Sequence, residues 1–547
     1  MPARADSLEV LPGVRRRLRL ETNIPGVPAP LATGLQRGRS TGQWLVRVVA
    51  LFALLWLTTL AFTSVSPPAD NIEQMLWVQS LQWGYYKHPP LPTWLYWIPV
   101  KLFGPQVWTT YLMAALANLA SIALFWRLLR QLRGPRFACI AVLAALCITY
   151  YNARFTTYNH NTVLMLVSTA SAALCWQACT TGRLRWWIGL GVTLGLGMLT
   201  KYQIAVSMAS VLAFWLHQRG WRDVAQRRGL LLAMLIASLM FVPHLWWLRE
   251  HDFGPVGYAI ESSLGAHLSV PERVADGANW LADQLLNRAL PAWLLLLSIV
   301  MLHRRSHRVE RTVTPGTAAS TASRPAQPQP DAARALILIW GLLPLGFMPL
   351  VGLVAGSHLH LPWGTPHLLF AVPAIMELLR SRIRWNSMAL RHVTATFLVI
   401  QGASMLMSIG TSAWGPASLR DHHWRSFDSA AMARQLEPAL RKALAGSQLV
   451  AVSGPEVLAA ALAQALPERP VVPIDGQLDR SPWVAAATLA RGPVLQLQVG
   501  TPLPDGVPVG GAFADTWWRL SWPPKPPRTH AGTTPGAVQV SPEASLP

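Results

Sequence analysis

Charge is what this sequence has least of. Only 13% of its 547 residues are charged, while 52% are hydrophobic. A soluble domain of average composition is nearer a quarter charged, so an ordinary soluble protein is excluded. Acidic residues are the scarcer kind, 25 against 46 Lys and Arg, for a net charge of +21. In a soluble chain that excess would point to nucleic acid. Here the arginines gather in short loops between apolar runs, so membrane topology accounts for them and no nucleic-acid partner is expected. Cysteine is scarce too. Cys139, Cys147, Cys175 and Cys179 all lie in apolar runs, and Cys175 and Cys179 are spaced to share a helix face. They read as small buried hydrophobes, not as a disulfide or metal set. A cleavable signal peptide is not expected: the first 43 residues are polar and Arg-rich, and the first apolar run is long enough to span.

Apolar runs of about 20 residues suit membrane-spanning helices. Eleven candidate spans are read, over 44–64, 107–126, 137–152, 162–180, 187–199, 202–216, 229–248, 285–302, 335–355, 366–380 and 393–412. The fifth, sixth and tenth are short, which suits tilted, broken or re-entrant segments. With the N-terminus inside, every alternate loop is Arg-rich. Examples are Arg127, Arg130, Arg133 and Arg136, then Arg219, Arg222, Arg227 and Arg228, then Arg380, Arg382, Arg384 and Arg391. The positive-inside rule then puts the C-terminus outside. The opposite loops hold few cations: Lys87, Lys101, Arg154, Lys201, Arg249, Arg273 and Arg288. Snorkelling is the plain explanation for each of these.

The first outside loop covers 65–106. Within it Pro92–Phe103 is apolar and too short to span, so it reads as an interfacial helix with Trp94 and Trp97 at headgroup level. A second outside loop covers 249–284, and 312–332 reads as a disordered inside linker. Beyond 412 the pattern changes. Gln448–Pro455, the Ala/Leu-rich 456–466, Arg469–Ile474 and Gly492–Val499 read as strand, helix, strand and strand. Ser453 is placed to N-cap the helix, with Glu456 three residues on. The expected fold is an all-α polytopic membrane protein of about eleven helices with a small α/β extramembrane domain. Its parts are an inside segment 1–43, a membrane domain 44–412, the α/β domain 413–522 and a disordered Pro-rich tail 523–547.

The chemistry-bearing residues follow the first span. Asp70 and Glu73, three apart, share one side of a helix beginning there. One carboxylate can act as general base and the other can position an acceptor or hold a divalent cation. The plain alternative is N-capping by Asp70 with Glu73 completing a capping box. Lys87 and His88 precede Pro89-Pro90, which fixes the backbone. A fixed lysine suits a phosphate. Lys201 sits between two short apolar runs and Arg154 at the outer end of the third, and each needs a counter-charge or water. Gly189, Gly191, Gly195 and Gly197 read as close helix packing. His358, His360 and His367 could ligate zinc, but the stronger reading is polar residues around a substrate groove. No metal is required by the pattern; a divalent cation is compatible with it.

Gly84-Tyr-Tyr-Lys-His-Pro-Pro-Leu, Ala153-Arg-Phe-Thr-Thr-Tyr-Asn-His-Asn-Thr-Val-Leu and Gly191-Val-Thr-Leu-Gly-Leu-Gly-Met-Leu-Thr-Lys-Tyr resemble segments of one family. It is the family 39 glycosyltransferases, which use polyprenyl-phosphate sugars and include protein O-mannosyltransferases and lipid A aminoarabinose transferases. The resemblance covers about 45–250 well. It implies a GT-C membrane fold and a lipid-phosphate sugar donor. It implies an acidic residue near the reacting centre, falling on Asp70, and phosphate contacts falling on His88, Lys87 and Lys201. Tyr85, Tyr86, Asn159, His160, Asn161, Tyr202, His358 and His360 are the remaining candidate substrate contacts. Many members carry an Asp in the second outside loop, where this chain has Asn159-His160-Asn161. That departure puts a two-carboxylate or metal-bridged arrangement in doubt.

The expected activity is inverting sugar transfer from undecaprenyl phosphate to a lipid, glycan or protein acceptor on the periplasmic face of a bacterial inner membrane. Alternatives are a lipid-sugar transporter or flippase, and a non-catalytic binder of lipid-linked sugar. The sequence shows no internal repeat, and its ionisable groups gather at one membrane face. Both observations favour one-sided chemistry over alternating access.

Overall fold

The computed structural model describes residues 29–264, 268–313, 331–419 and 424–523. The residues before 29, most of the 312–332 linker and the tail beyond 523 lie outside the described residues. The chain divides into two compact units, 1–49 and 50–547, and the account below concerns the second.

The helices in chain order are α1 (Ala29–Thr63), α2 (Ala69–Trp77), α3 (Leu91–Phe103), α4 (Val107–Arg133), α5 (Pro135–Ala145) and α6 (His160–Thr181). Then come α7 (Leu184–Met198), α8 (Ala205–His217), α9 (Val224–Glu250), α10 (Gly254–Ala259), α11 (Val270–Ala282) and α12 (Leu290–Val313). The series ends with α13 (Ala332–Ala355), α14 (Ala371–Leu378), α15 (Leu390–Gly410), α16 (Ser429–Leu444), α17 (Glu456–Ala465) and the one-turn α18 (Ala486–Leu489). The expected interfacial helix is α3, with Pro92 inside its first turn and Gly104, at φ +77°, ending it.

Each expected span meets a helix, but the count of eleven spans is not reproduced. Among the described residues six helices are long and apolar enough to cross a membrane, or seven if the bent pair Val270–Arg288 and Leu290–Arg304 is one span. The difference is one of length. An 11-residue helix such as α5 is about 16 Å long, against a hydrocarbon core of about 30 Å. Its apolar run continues past Ala145 as turns, not as helix. From Phe137 to Ile148 every residue is essentially inaccessible. A helix apolar on all sides belongs in a protein interior, and α5 packs against α4, α12, α14 and α15. Hydropathy alone does not separate such a helix from a lipid-facing one.

Helix α7 lies against α9 through its glycines. A Cβ on Gly191 would fall 2.7 Å from the Ala233 carbonyl oxygen, and one on Gly195 2.8 Å from Met240 Sδ. At the other end of α4, Arg133 donates to buried Glu377 of α14 at 2.8 Å and to Asp331 before α13 at 2.6 Å. Two carboxylates there meet Arg133 and Arg380, so part of the Arg excess is structural.

The C-terminal region forms a four-stranded sheet of order β1-β2-β4-β3. Here β1 is Ala451–Ser453, β2 Val494–Val499, β3 Val507–Gly510 and β4 Phe513–Ser521. β1 runs parallel to β2, and β4 pairs antiparallel with both β2 and β3. The strand expected over Arg469–Ile474 makes only isolated bridges to Ala451 and Gly454. The expected Ser453 cap does not form. Ser453 ends β1, Gly454 turns the chain at φ +151°, and α17 begins after Pro455 with no side-chain cap. The apolar core here is shared with the loop after α1. Ile72, Leu76, Trp77 and Tyr85 cluster with Leu436, Leu440, Val452, Leu458, Leu462, Leu495 and Leu497.

Gly191→Leu is expected to lower stability by about 1–3 kcal/mol through overpacking. Gly346→Ala in α13, where an added Cβ meets nothing within 4 Å, should leave it nearly unchanged. Thermal unfolding of the two purified variants checks the pair.

Candidate functional site

The site is assembled where the loop after α1 meets the start of α6. Pro68 precedes α2, and Asp70 lies in that helix's first turn without capping it. A carboxylate there is favoured by the helix dipole. Neither the Asp70 cap nor the Glu73 capping box forms. The next residue, Asn71, is fully buried. Its Nδ2 donates to Thr110 Oγ1 at 2.8 Å and to the Thr156 carbonyl at 2.9 Å, and its Oδ1 accepts from the Tyr158 amide at 2.8 Å. One amide thus locks α2 to α4 and to the segment before α6, which fixes its neighbour Asp70.

Asn159, His160 and Asn161 each reach a different part of this surface. Asn159 Nδ2 donates to Asp70 Oδ2 at 2.7 Å, while its Oδ1 accepts from the Thr162 amide and caps α6. His160 Nε2 lies 3.3 Å from the Pro89 carbonyl. Asn161 Oδ1 accepts from Lys201 Nζ at 2.8 Å. The segment that departs from the common acidic pattern therefore joins Asp70, the double proline and Lys201. An aspartate at 159 would have no hydrogen to give Asp70; an asparagine has both a donor and an acceptor.

Lys201 is held against the Trp363 ring, 5.6 Å from its centroid. Burial lowers its pKa to about 8, a shift the charge of Asp70 opposes. The backbone beside it is tied to the first loop, since the Leu91 amide donates to the Leu199 carbonyl at 2.8 Å. Trp363 is in turn anchored by Gln203, which donates to its carbonyl at 2.6 Å. His88 packs on His160, ring centroids 4.2 Å apart. Burial, and then the neighbouring His160 and Lys201, holds His88 well below the usual histidine range, so it is neutral near pH 7. Arg154 lies over the Tyr150 ring at 5.9 Å. Burial and then Arg288 lower its pKa, with Asp70 among the groups opposing.

Lys87 has a different setting from the one expected. Its Nζ lies 2.5 Å from Glu73 Oε1 and 2.5 Å from Glu456 Oε2, with the Tyr86 and Tyr258 rings beside it. Burial alone would lower this ammonium, but Glu73 and then Glu456 more than offset that and hold it above its usual range. For Glu73, burial outweighs Lys87 and raises the carboxyl well above its usual range. Glu73 is thus a partner of Lys87, and Asp70 stands apart from it with Asn159.

The remaining candidates divide. Tyr85 stacks on Trp77 at 4.8 Å and gives its hydroxyl to the Ser80 carbonyl. Tyr86 gives its hydroxyl to Glu456 at 2.6 Å. Tyr202 pairs with His244 of α9 at 2.8 Å, and His244 also contacts the Trp83 carbonyl at 2.6 Å. A Cβ on Gly84 would lie 2.4 Å from the Trp247 ring, so only glycine lets the first loop close on α9 here. His358 pairs with Asp276 at 2.7 Å and His360 with the Ser262 carbonyl at 3.1 Å. Among the described residues no cluster of three or more His, Cys, Asp or Glu could hold a metal ion, so the zinc arrangement weighed above is not formed there. Sequence reasoning missed Asn71 and Glu456. Glu456 was visible only as a helix-start residue, and nothing local ties it to partners 370 positions upstream.

Comparison with known proteins gives matches over part of this region. A family described as dolichyl-phosphate-mannose-protein mannosyltransferase matches residues 87–247. Over those residues the chain is similar to that family. The match runs from Lys87 to Trp247 and includes Asn159, Asn161 and Lys201, while Asp70 and Glu456 lie outside it. Lipid A galacturonosyltransferase RgtD of Rhizobium johnstonii is 26% identical over 212 residues, 38% of this chain and 43% of that protein. The undecaprenyl phosphate-alpha-4-amino-4-deoxy-L-arabinose arabinosyl transferase of Edwardsiella ictaluri is 29% identical over 181 residues, 31% of each. The chain therefore spans less than half the length of these curated relatives. The fold likeness is longer. ArnT from Cupriavidus metallidurans, solved bound to undecaprenyl phosphate, aligns with TM-score 0.57 at 14% identity, over 87% of this chain and 98% of that one. The chain thus has an ArnT-like fold.

Asn71→Leu is expected to orphan the buried Thr156 carbonyl and Tyr158 amide, at about 1–3 kcal/mol each. Asp70→Asn, half-exposed and able to keep the Asn159 contact, should fold normally. Thermal midpoints of the two variants in one detergent test the contrast.

Proposed function

We propose that this chain is a membrane glycosyltransferase that moves a sugar from a polyprenyl phosphate to a hydroxyl- or amine-bearing acceptor, with inversion. Asp70 is the general base. Asn159 occupies its Oδ2, and Oδ1 has no hydrogen-bond partner among the described residues. A carboxylate steadied through one oxygen can take the acceptor's proton through the other. The leaving group is an anionic lipid phosphate, so cations placed before the reaction lower the cost of its developing charge. Lys201 and Arg154, both within electrostatic reach of Asp70, are the proposed phosphate contacts. Neutral His88 and His160 supply polar ring nitrogens without further charge. Lys87 joins them only if it leaves a carboxylate.

The observation that carries this reading is the pair of adjacent side chains, Asn159 on Asp70 and Asn161 on Lys201. A base and a cation are held from one rigid helix start, which fixes their separation as an in-line displacement needs. The curated relatives, acting by name on lipid A or with undecaprenyl phosphate-linked aminoarabinose, support an undecaprenyl phosphate carrier and a lipid A-like acceptor. They also support an inner-membrane location. The arginine distribution supports a periplasmic site and C-terminal α/β domain, with the N-terminus in the cytoplasm.

Asp70→Asn, expressed in a strain lacking the chromosomal copy, is expected to cut transfer about a hundredfold or more, read by mass spectrometry of lipid A and other envelope glycans. An unchanged glycan profile with folded protein present overturns the assignment. A second expectation concerns pH. Lys201 is charged below about 8 and neutral above it, so affinity for undecaprenyl phosphate should fall as pH rises through that value. Lys201→Arg, which stays charged, should flatten the dependence in equilibrium binding.

A further inference from the structure

The bracket around Lys87 joins the two parts of the protein. Glu456 is the first residue of α17 in the α/β region, yet all of its side-chain hydrogen bonds go to the loop after α1. Its Oε1 accepts from Trp77 Nε1 at 2.8 Å, and its Oε2 accepts from Tyr86 Oη at 2.6 Å and from Lys87 Nζ at 2.5 Å. Glu73 is less well provided for: the hydrogen bond from Lys87 is the one it has among the described residues. Both carboxylates are buried.

Formal charge limits what this group can do. With both acids ionised, two carboxylates and one ammonium carry a net charge of −1, so an approaching lipid phosphate is repelled while both hold Lys87. The lysine has to give up one of them to bind the phosphate. Letting go of Glu73 would strand a buried carboxylate, which is costly. Letting go of Glu456 would not, because Trp77, Tyr86 and the N-terminus of α17 still satisfy it.

We infer that Glu456 is an internal competitor of the donor phosphate: it holds Lys87 in the empty site and yields it, while staying bonded to Trp77 and Tyr86, when lipid phosphate binds. This gives the α/β region a part in substrate admission. The inference rests on the proposed function, since it takes the ligand to be a polyprenyl phosphate.

Equilibrium binding of undecaprenyl phosphate to the full-length protein in nanodiscs tests it. Glu456→Gln removes the competing charge but keeps an acceptor oxygen for Trp77. It should bind about tenfold more tightly than the native protein. Tyr86→Phe takes away one of the bonds that satisfy Glu456 without Lys87, so it should bind more weakly. In a Lys87→Met background the Glu456→Gln gain should vanish. Equal or weaker binding by Glu456→Gln overturns the inference, and so does a gain that persists without Lys87. If Glu456→Gln does not fold, the Tyr86→Phe result decides: unchanged or tighter binding overturns the inference. Native protein that does not bind undecaprenyl phosphate overturns the proposed function itself, a result separate from either variant's.

Discussion

The arrangement depends on a polar segment that cannot satisfy itself. The stretch from Pro68 to Pro90 has one short helix, two prolines at its end and little regular backbone pairing. A buried segment of that kind must find partners for its polar groups elsewhere. Asn71 finds them on α4 and before α6, Asp70 on Asn159, Gly84 by close approach to α9, and Trp77, Tyr86 and Lys87 on Glu456. Helices from both ends of the chain converge because this loop has so little internal support.

That dependence explains the electrostatics. The cations Lys87, Lys201 and Arg154 do not form one basic basin. Lys87 is bracketed by acids, Lys201 is lowered by burial and rests on an amide and an indole, and Arg154 sits near Arg288. Their surroundings thus differ: acids at Lys87, neutral groups at Lys201 and a like charge at Arg154. Asp70 lies at the junction of these groups, half-exposed and bound on one side.

Much of this was legible in the sequence. Two carboxylates just past an apolar run, a Lys-His-Pro-Pro segment and a lysine between two short runs mark segments that the fold brings together. The glycines of α7 were correctly read as packing residues, because small residues at helical spacing have few other uses in an apolar helix. Span number was not legible, since α5 is as apolar as a lipid-facing helix while being enclosed by protein. Glu456 was not legible either. Its first-turn position predicts a local cap, and its actual partners depend on a docking that no nearby residue encodes. The Ser453 cap failed for a related reason: Gly454 carries the chain out of strand β1 before the helix starts.

Asn159 carries the last lesson. It gives one hydrogen to Asp70 and takes one from the α6 backbone, so its site selects an amide, neutral and two-faced. An aspartate there would not keep this arrangement. It would set two carboxyl groups in contact, and such a pair binds a proton between its oxygens. The asparagine thus leaves Asp70 paired with an amide and not with a second acid.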